Sequence, residues 1–168
     1  TYYKNNELTK INTKAVVMAS GGWVNKHIIS DLPQTHKDAY EQFNHAPMLV
    51  ANVALTNWRF LKKLGITAYQ WTGGFGFHTN IRKPMHVGNY KPDLDPDKPI
   101  TLTFYVSFEK TNQGLSAKEQ SRLGQYEMLG KSFMQYEREI REQMVRMFGS
   151  SGFDPKNDIA GIILNRWG

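Results

Sequence analysis

Three groups of residues have types and spacings that could do chemistry. Trp71, Phe75, Phe77, His78, His86 and Tyr90 bring four aromatic rings and two imidazoles into one stretch, with Gly73, Gly74, Gly76 and Gly88 between them. Rings and imidazoles of this kind suit the wall of a ligand pocket, and they equally suit a hairpin held by aromatic packing. The glycines do not make G-x-G-x-x-G, because the third is missing and no strand–helix frame surrounds them, so no phosphate cradle is expected. His78 and His86 are too far apart for one helix face and no acidic cluster accompanies them, so no metal site is expected. In Ala19-Ser20-Gly21-Gly22 the backbone carries almost no side chain and can approach a ligand closely. That pattern is also compatible with a tight turn that binds nothing. Arg166 and Trp167 stand side by side, which suits a pocket or a surface cation–π pair. Asp93, Asp95 and Asp97 alternate like calcium ligands, but the loop lacks the required glycine and terminal glutamate and reads as solvated.

The elements that must position these groups follow from periodicity. Tyr2–Lys14 reads as a strand or hairpin, and the apolar run from Ala15 reads as a strand buried on both faces that ends in the small-residue turn. A short helix is expected over Trp23–Ser30. A second, with Pro33 at its first position, covers Gln34–Asn44 and buries Tyr40, Phe43 and Leu32. Met48–Leu55 is a strand, Asn57 caps a helix over Trp58–Leu64 closed by Gly65, and Ile66–Trp71 is another strand. Pro92–Pro99 is a connector, and Ile100–Phe108 alternates as a half-buried strand does.

Ser116–Phe148 is the longest expected element. Ser116 and Glu119 form a capping box. Tyr126, Leu129, Phe133, Tyr136, Ile140, Met144 and Met147 share one face, and the pairs Glu137–Arg141 and Glu142–Arg146 lie on the solvated side. Gly124 and Gly130 allow a kink or break, and Gly149 with Gly152 ends the helix. Asp154 and Pro155 begin one more turn, and Asp158–Leu164 is a final buried strand that delivers Asn165, Arg166 and Trp167 to its end.

Composition narrows the class. The chain has 168 residues, 40% of them hydrophobic and 12% aromatic, which excludes disorder. Its net charge is +6, but the basic residues are scattered among acids with no block, which argues against a nucleic-acid surface. No cysteine is present, so disulfides and thiolate metal sites are excluded, while cytoplasm and periplasm both remain open. No apolar run reaches the length of a membrane span. The polar opening and the stop directly after an apolar strand read as an internal segment of a longer protein.

Several segments resemble the flavin-dependent amine oxidoreductases, and most closely their spermidine-dehydrogenase-like branch. They are Lys14–Gly22, Val53-Ala-Leu-Thr-Asn-Trp-Arg-Phe60 and Pro84-Met-His-Val-Gly-Asn-Tyr90. The most specific are Phe133-x-x-Tyr-Glu-Arg-Glu-Ile-Arg141, Gly152-Phe-Asp-Pro-x-x-Asp-Ile159 and Asn165-Arg-Trp167. The resemblance implies an α+β flavoprotein fragment, with a mixed sheet flanked by helices and edge strands that belong to an FAD-binding domain. It divides the chain into 1–22, a strand returning from that domain; 23–160, a substrate-binding domain; and 161–168, a strand leading back. Ala19, Ser20, Gly21, Gly22, Arg166 and Trp167 would then lie at the FAD, and the aromatic stretch would line the substrate pocket. The implied reaction is hydride transfer from the carbon beside an amine nitrogen to flavin, then imine hydrolysis, with a small amine (a polyamine by kinship) as substrate and an unspecified electron acceptor. Relatives of the monoamine-oxidase type carry a lysine on the strand matching Met48–Leu55; this chain has none there, and Asn52 lies close to that place. No acidic residue stands in the aromatic stretch to hold a distal ammonium. Some spermidine dehydrogenases also carry haem, but nothing in this sequence marks a haem ligand. Three alternatives are a basic α+β binding module, a family member that has lost catalysis, and a flavoprotein of this fold acting on a non-amine substrate.

Overall fold

The computed structural model describes residues 1–81, 85–91, 93–108 and 114–168. Two expected segments therefore fall partly outside the described residues, at Pro84 of the Pro84–Tyr90 stretch and at Pro92 of the connector. The chain forms two compact units, Thr1–Phe43 and Asn44–Gly168.

The first unit opens with a hairpin of β1 (Tyr2–Lys4) and β2 (Glu7–Thr9), antiparallel. Its two turn residues, Asn5 and Asn6, have φ of 53° and 62°, the conformation that matches hairpin twist and that asparagine tolerates. Two helices follow, α1 (Gly22–Ile28) and α2 (Gln34–Glu41). Pro33 caps α2 from just outside it and is not its first residue. Two further expectations fail in this unit. Ala15–Ala19 is not a buried strand: it joins no ladder among the described residues, and Val16 and Val17 are 71% and 92% exposed. Apolar β-branched residues favour a strand, but a strand also needs a neighbour to take its N–H and C=O groups. Phe43 is exposed as well, its ring 6.5 Å from that of Tyr40.

The second unit is built on a five-stranded sheet. Its strands are β3 (Met48–Leu55), β4 (Ala68–Gln70), β5 (His78–Ile81), β6 (Ile100–Ser107) and β7 (Ile159–Trp167), in the order β4-β5-β6-β3-β7. The α+β class holds, but among the described residues every pairing is antiparallel and none makes the sheet mixed. Alternation in β3 turns Leu49, Ala51, Val53 and Leu55 inward, and register aligns them with Val106, Phe104, Leu102 and Ile100 of β6. These side chains pack with α3 (Arg59–Leu64) and with the two helices that follow β6, chiefly the second of them. Trp58 stands at the N-cap position of α3, and Asn57 Oδ1 accepts from the Arg59 N–H at 3.3 Å.

The expected long helix is two helices, α4 (Ala117–Gly130) and α5 (Phe133–Phe148). Gly130 weakens the continuation, and Ser132 with Gln135 forms a second capping box that starts α5 afresh. The apolar stripe divides at this break. Tyr136, Ile140, Met144 and Met147 are buried, whereas Tyr126, Leu129 and Phe133 face outward. The buried Tyr136 hydroxyl donates to Met128 O at 2.6 Å and satisfies one of the carbonyls left open at the end of α4. Gly124 is required by close approach: a Cβ there would meet the carbonyl oxygen of Phe108 at 2.3 Å. Beyond α5, Asp154 makes a turn and not a helix start, its Oδ1 accepting from Lys156 N. Asn165, Arg166 and Trp167 lie within β7 along β3, not beyond the strand's end.

Candidate functional site

The two faces of the five-stranded sheet differ in chemistry. Helices cover the inner face. The register assigns to the outer face Met48, Val50, Asn52 and Ala54 of β3, and Thr101, Thr103, Tyr105 and Ser107 of β6. Gly161, Ile163, Asn165 and Trp167 of β7 join them, with His78 and Asn80 of β5 and Ala68 and Gln70 of β4. None of these residues is Asp, Glu, Lys or Arg, in a chain that holds 36 of them as 21 basic and 15 acidic residues. Among the described residues this half-open face carries no formal charge, and it is the first candidate surface.

Its centre is ordered by side-chain bonds. Thr103 Oγ1 donates to Asn52 Oδ1 at 2.8 Å, and the Asn52 amide nitrogen has no hydrogen bond among the described residues. One register step along, His78 and Tyr105 lie ring to ring at 5.7 Å. Asn165 Nδ2 donates to Val50 O at 3.4 Å. Ile163 and Trp167, 65% and 66% exposed, continue the face onto β7. Phe77 is exposed beside it, 6.4 Å from the His78 ring.

The second candidate is a cleft of about 300 Å³ at the edge of the helix-covered side, between the β4–β5 loop and α5. Trp71, Gly73, Gly74 and Phe75 of the loop meet Glu139, Glu142, Gln143 and Arg146 of α5, with Lys131 from the break between α4 and α5. The buried Gln143 clamps the loop: Oε1 accepts from Gly76 N at 2.7 Å and Nε2 donates to Gly76 O at 2.8 Å. Lys131 Nζ bonds both oxygens of Glu139, at 2.9 and 3.1 Å, and lies 5.7 and 5.6 Å from the centroids of Phe75 and Tyr136. The Arg166 guanidinium lies 5.3 Å from the Tyr136 ring. Burial pushes the Tyr136 hydroxyl up to about 12, and the nearby Arg166 charge opposes that rise.

The expected site residues thus separate. Asn52 and His78 share the outer face, with Phe77 beside it, whereas Trp71 and Phe75 line the cleft. His86 and Tyr90 are exposed in the loop 85–91 and line neither surface. Arg166 and Trp167, being adjacent on a strand, project to opposite faces and cannot meet one ligand from the same side. Ala19–Gly22 belongs to the other unit and leads into α1. There the Ser20 hydroxyl bonds Asn25 Oδ1, and Asn25 Nδ2 donates to Ser20 O at 3.1 Å. Gly22 is needed by packing inside its own unit, since a Cβ would fall 2.7 Å from the Tyr40 ring.

Residues not singled out for a site now join one. Thr103 and Tyr105 come from the alternation of β6, and Glu139, Glu142 and Arg146 come from the spacing of three and four along α5. Glu139 and Glu142 supply carboxylates beside Trp71 and Phe75, which the aromatic stretch alone does not contain. Among the described residues no group of three or more His, Cys, Asp or Glu could hold a metal ion, and no helix is long and apolar enough to cross a membrane. A comparison with protein-family models finds no match to this chain, and a comparison with curated proteins finds none either.

Proposed function

We propose that this chain supplies the amine-facing wall of an FAD-dependent amine oxidoreductase. The observation that carries the reading is that the described residues of the outer face bear no formal charge, with Asn52, Thr103, His78 and Tyr105 at its centre. An amine gives up hydride from the carbon beside nitrogen only when the nitrogen lone pair is free to become the π bond of the iminium. The amine must therefore be neutral when the hydride leaves. A surface with no carboxylate, once covered, disfavours the ammonium form and lowers the amine's pKa.

The residues of the chain divide this work. The His78 and Tyr105 rings offer flat surfaces for the carbon chain of the amine, and the exposed Trp167 and Ile163 extend the face with apolar surface that a covering partner would bury. Thr103 holds the Asn52 amide by its oxygen, which leaves the amide N–H groups to donate to an acceptor lying against the sheet.

FAD is tested by the same groups. The Asn52 amide N–H groups would donate to the edge of its ring, and the ring, when bound, would accept the hydride. Its diphosphate finds no G-x-G-x-x-G cradle in the chain, and the Ser20 turn is already satisfied by Asn25. The chain therefore fits one wall of a flavin site, with the remaining contacts drawn from elsewhere. In the overall change two electrons and a proton's worth of hydrogen leave the amine as hydride. Water then adds to the iminium and releases a carbonyl compound and the shortened amine or ammonia.

The reading is tested in the full-length protein. Flavin absorbance should co-purify with it and should bleach without oxygen when an alkylamine is added. A protein without flavin, or a bound flavin that no amine in a broad panel reduces, refutes the proposal.

A further inference from the structure

We propose that the cleft between the β4–β5 loop and α5 binds a small zwitterion with a flat apolar body, of the aromatic amino-acid type. The ammonium would sit at Glu142, the carboxylate at Arg146 and the body against Trp71. The site is independent of the amine-oxidation reading, because no residue of the outer face lines it.

Among the described residues four charged side chains border the cleft, and two are already used. Lys131 and Glu139 neutralise each other, and the Lys131 ammonium rests near the Phe75 and Tyr136 rings. That pair shows that these walls accept an alkylammonium, and it closes their end of the cleft to a second one. Glu142 and Arg146 remain. They lie one turn apart on the same side of α5, both exposed, and no ion pair joins them or ties either to another described residue. One negative and one positive group a turn apart match the two ends of a zwitterion better than they match a simple cation or anion, for which one of the two would be repulsive.

The apolar wall is built before any ligand arrives. The absence of a side chain at Gly74 lets the indole of Trp71 fold over it, since a Cβ there would be 2.3 Å from the ring. Gln143, 4% exposed, pins both polar groups of Gly76 and holds the loop to the helix. A volume of about 300 Å³ lies at the small end of ligand pockets, the size of a single amino acid.

The test titrates the chain with three probes sharing one ring: L-phenylalanine, phenethylamine, which lacks the carboxylate, and hydrocinnamate, which lacks the ammonium. Binding is read by calorimetry and by the indole N–H resonance of Trp71, assigned through Trp71→Leu. L-Phenylalanine should saturate and move that resonance, with each single-charge probe weaker by about fivefold, as two exposed charge contacts allow. Glu142→Gln and Arg146→Met should each cost L-phenylalanine about the same factor. Both positions are exposed, so neither change threatens folding. Equal binding of the three probes, phenylalanine affinity unmoved by both variants, or no saturation up to its solubility limit would overturn the proposal.

Discussion

Gln143 is where a single side chain should reveal how the aromatic loop is held. It is buried on α5, and its amide satisfies both the N–H and the C=O of Gly76, at 2.7 and 2.8 Å. Gly76 is itself buried, and a Cβ at that position would touch Phe104 at 3.0 Å, so the loop has no room to seek other partners. Gln143→Met keeps the volume and removes both bonds. Two orphaned backbone groups cost about 1–3 kcal/mol each. The adjoining cleft admits some water, so the lower half of the sum applies, about 2–4 kcal/mol. Urea unfolding followed by far-ultraviolet circular dichroism, at unchanged m, should show the midpoint falling accordingly. Gln143→Glu separates the two bonds. The carboxylate still accepts from Gly76 N, but its ionised form faces Gly76 O with nothing to donate, so its folded-state pKa lies above the usual carboxylate value of about 4.3. Stability of this variant relative to the parent is therefore fullest below that value and is lost as pH rises through the raised folded-state pKa. A Met variant within about 0.5 kcal/mol of the parent, or a Glu variant with no such pH trend, would refute the clamp.

Two further outcomes test the packing of the second unit. Tyr136→Phe leaves Met128 O unpaired and should cost about 1–3 kcal/mol at neutral pH. Because burial raises the Tyr136 hydroxyl to about 12, the parent keeps its full stability up to the ordinary value near 10. It should then lose stability relative to the Phe variant as pH climbs from there to 12, measured as the difference between their unfolding curves. Gly124→Ala, which in an open helix would stabilise by roughly 1 kcal/mol, should instead lower the thermal midpoint, because its methyl would press on the Phe108 carbonyl at 2.3 Å.

The residues show why parts of the fold were legible in the sequence. The β3 and β6 patterns combine apolar content with alternation, and both strands form where expected. Val16 and Val17 have the same local composition, but a ladder partner is not encoded in the segment itself, and there the expectation failed. The break between α4 and α5 was half visible: Gly130 marked it, while the restart needed Ser132 and Gln135 to be seen as a capping box. Neither candidate surface could be read from one stretch. Asn52, Thr103 and His78 become neighbours only through antiparallel register, and Trp71 meets Glu142 only because α5 packs against the loop.

The central claim is that a charge-free sheet face keeps the reacting amine neutral. Its most direct measurement is the pH dependence of oxygen-free flavin reduction by an alkylamine in the full-length protein, compared with Asn52→Asp. A carboxylate at that position would stabilise the ammonium, so the acidic limb of the rate profile should move up by about one pH unit, with flavin still bound. An unmoved limb, with amine turnover and bound flavin intact in both proteins, would contradict the account.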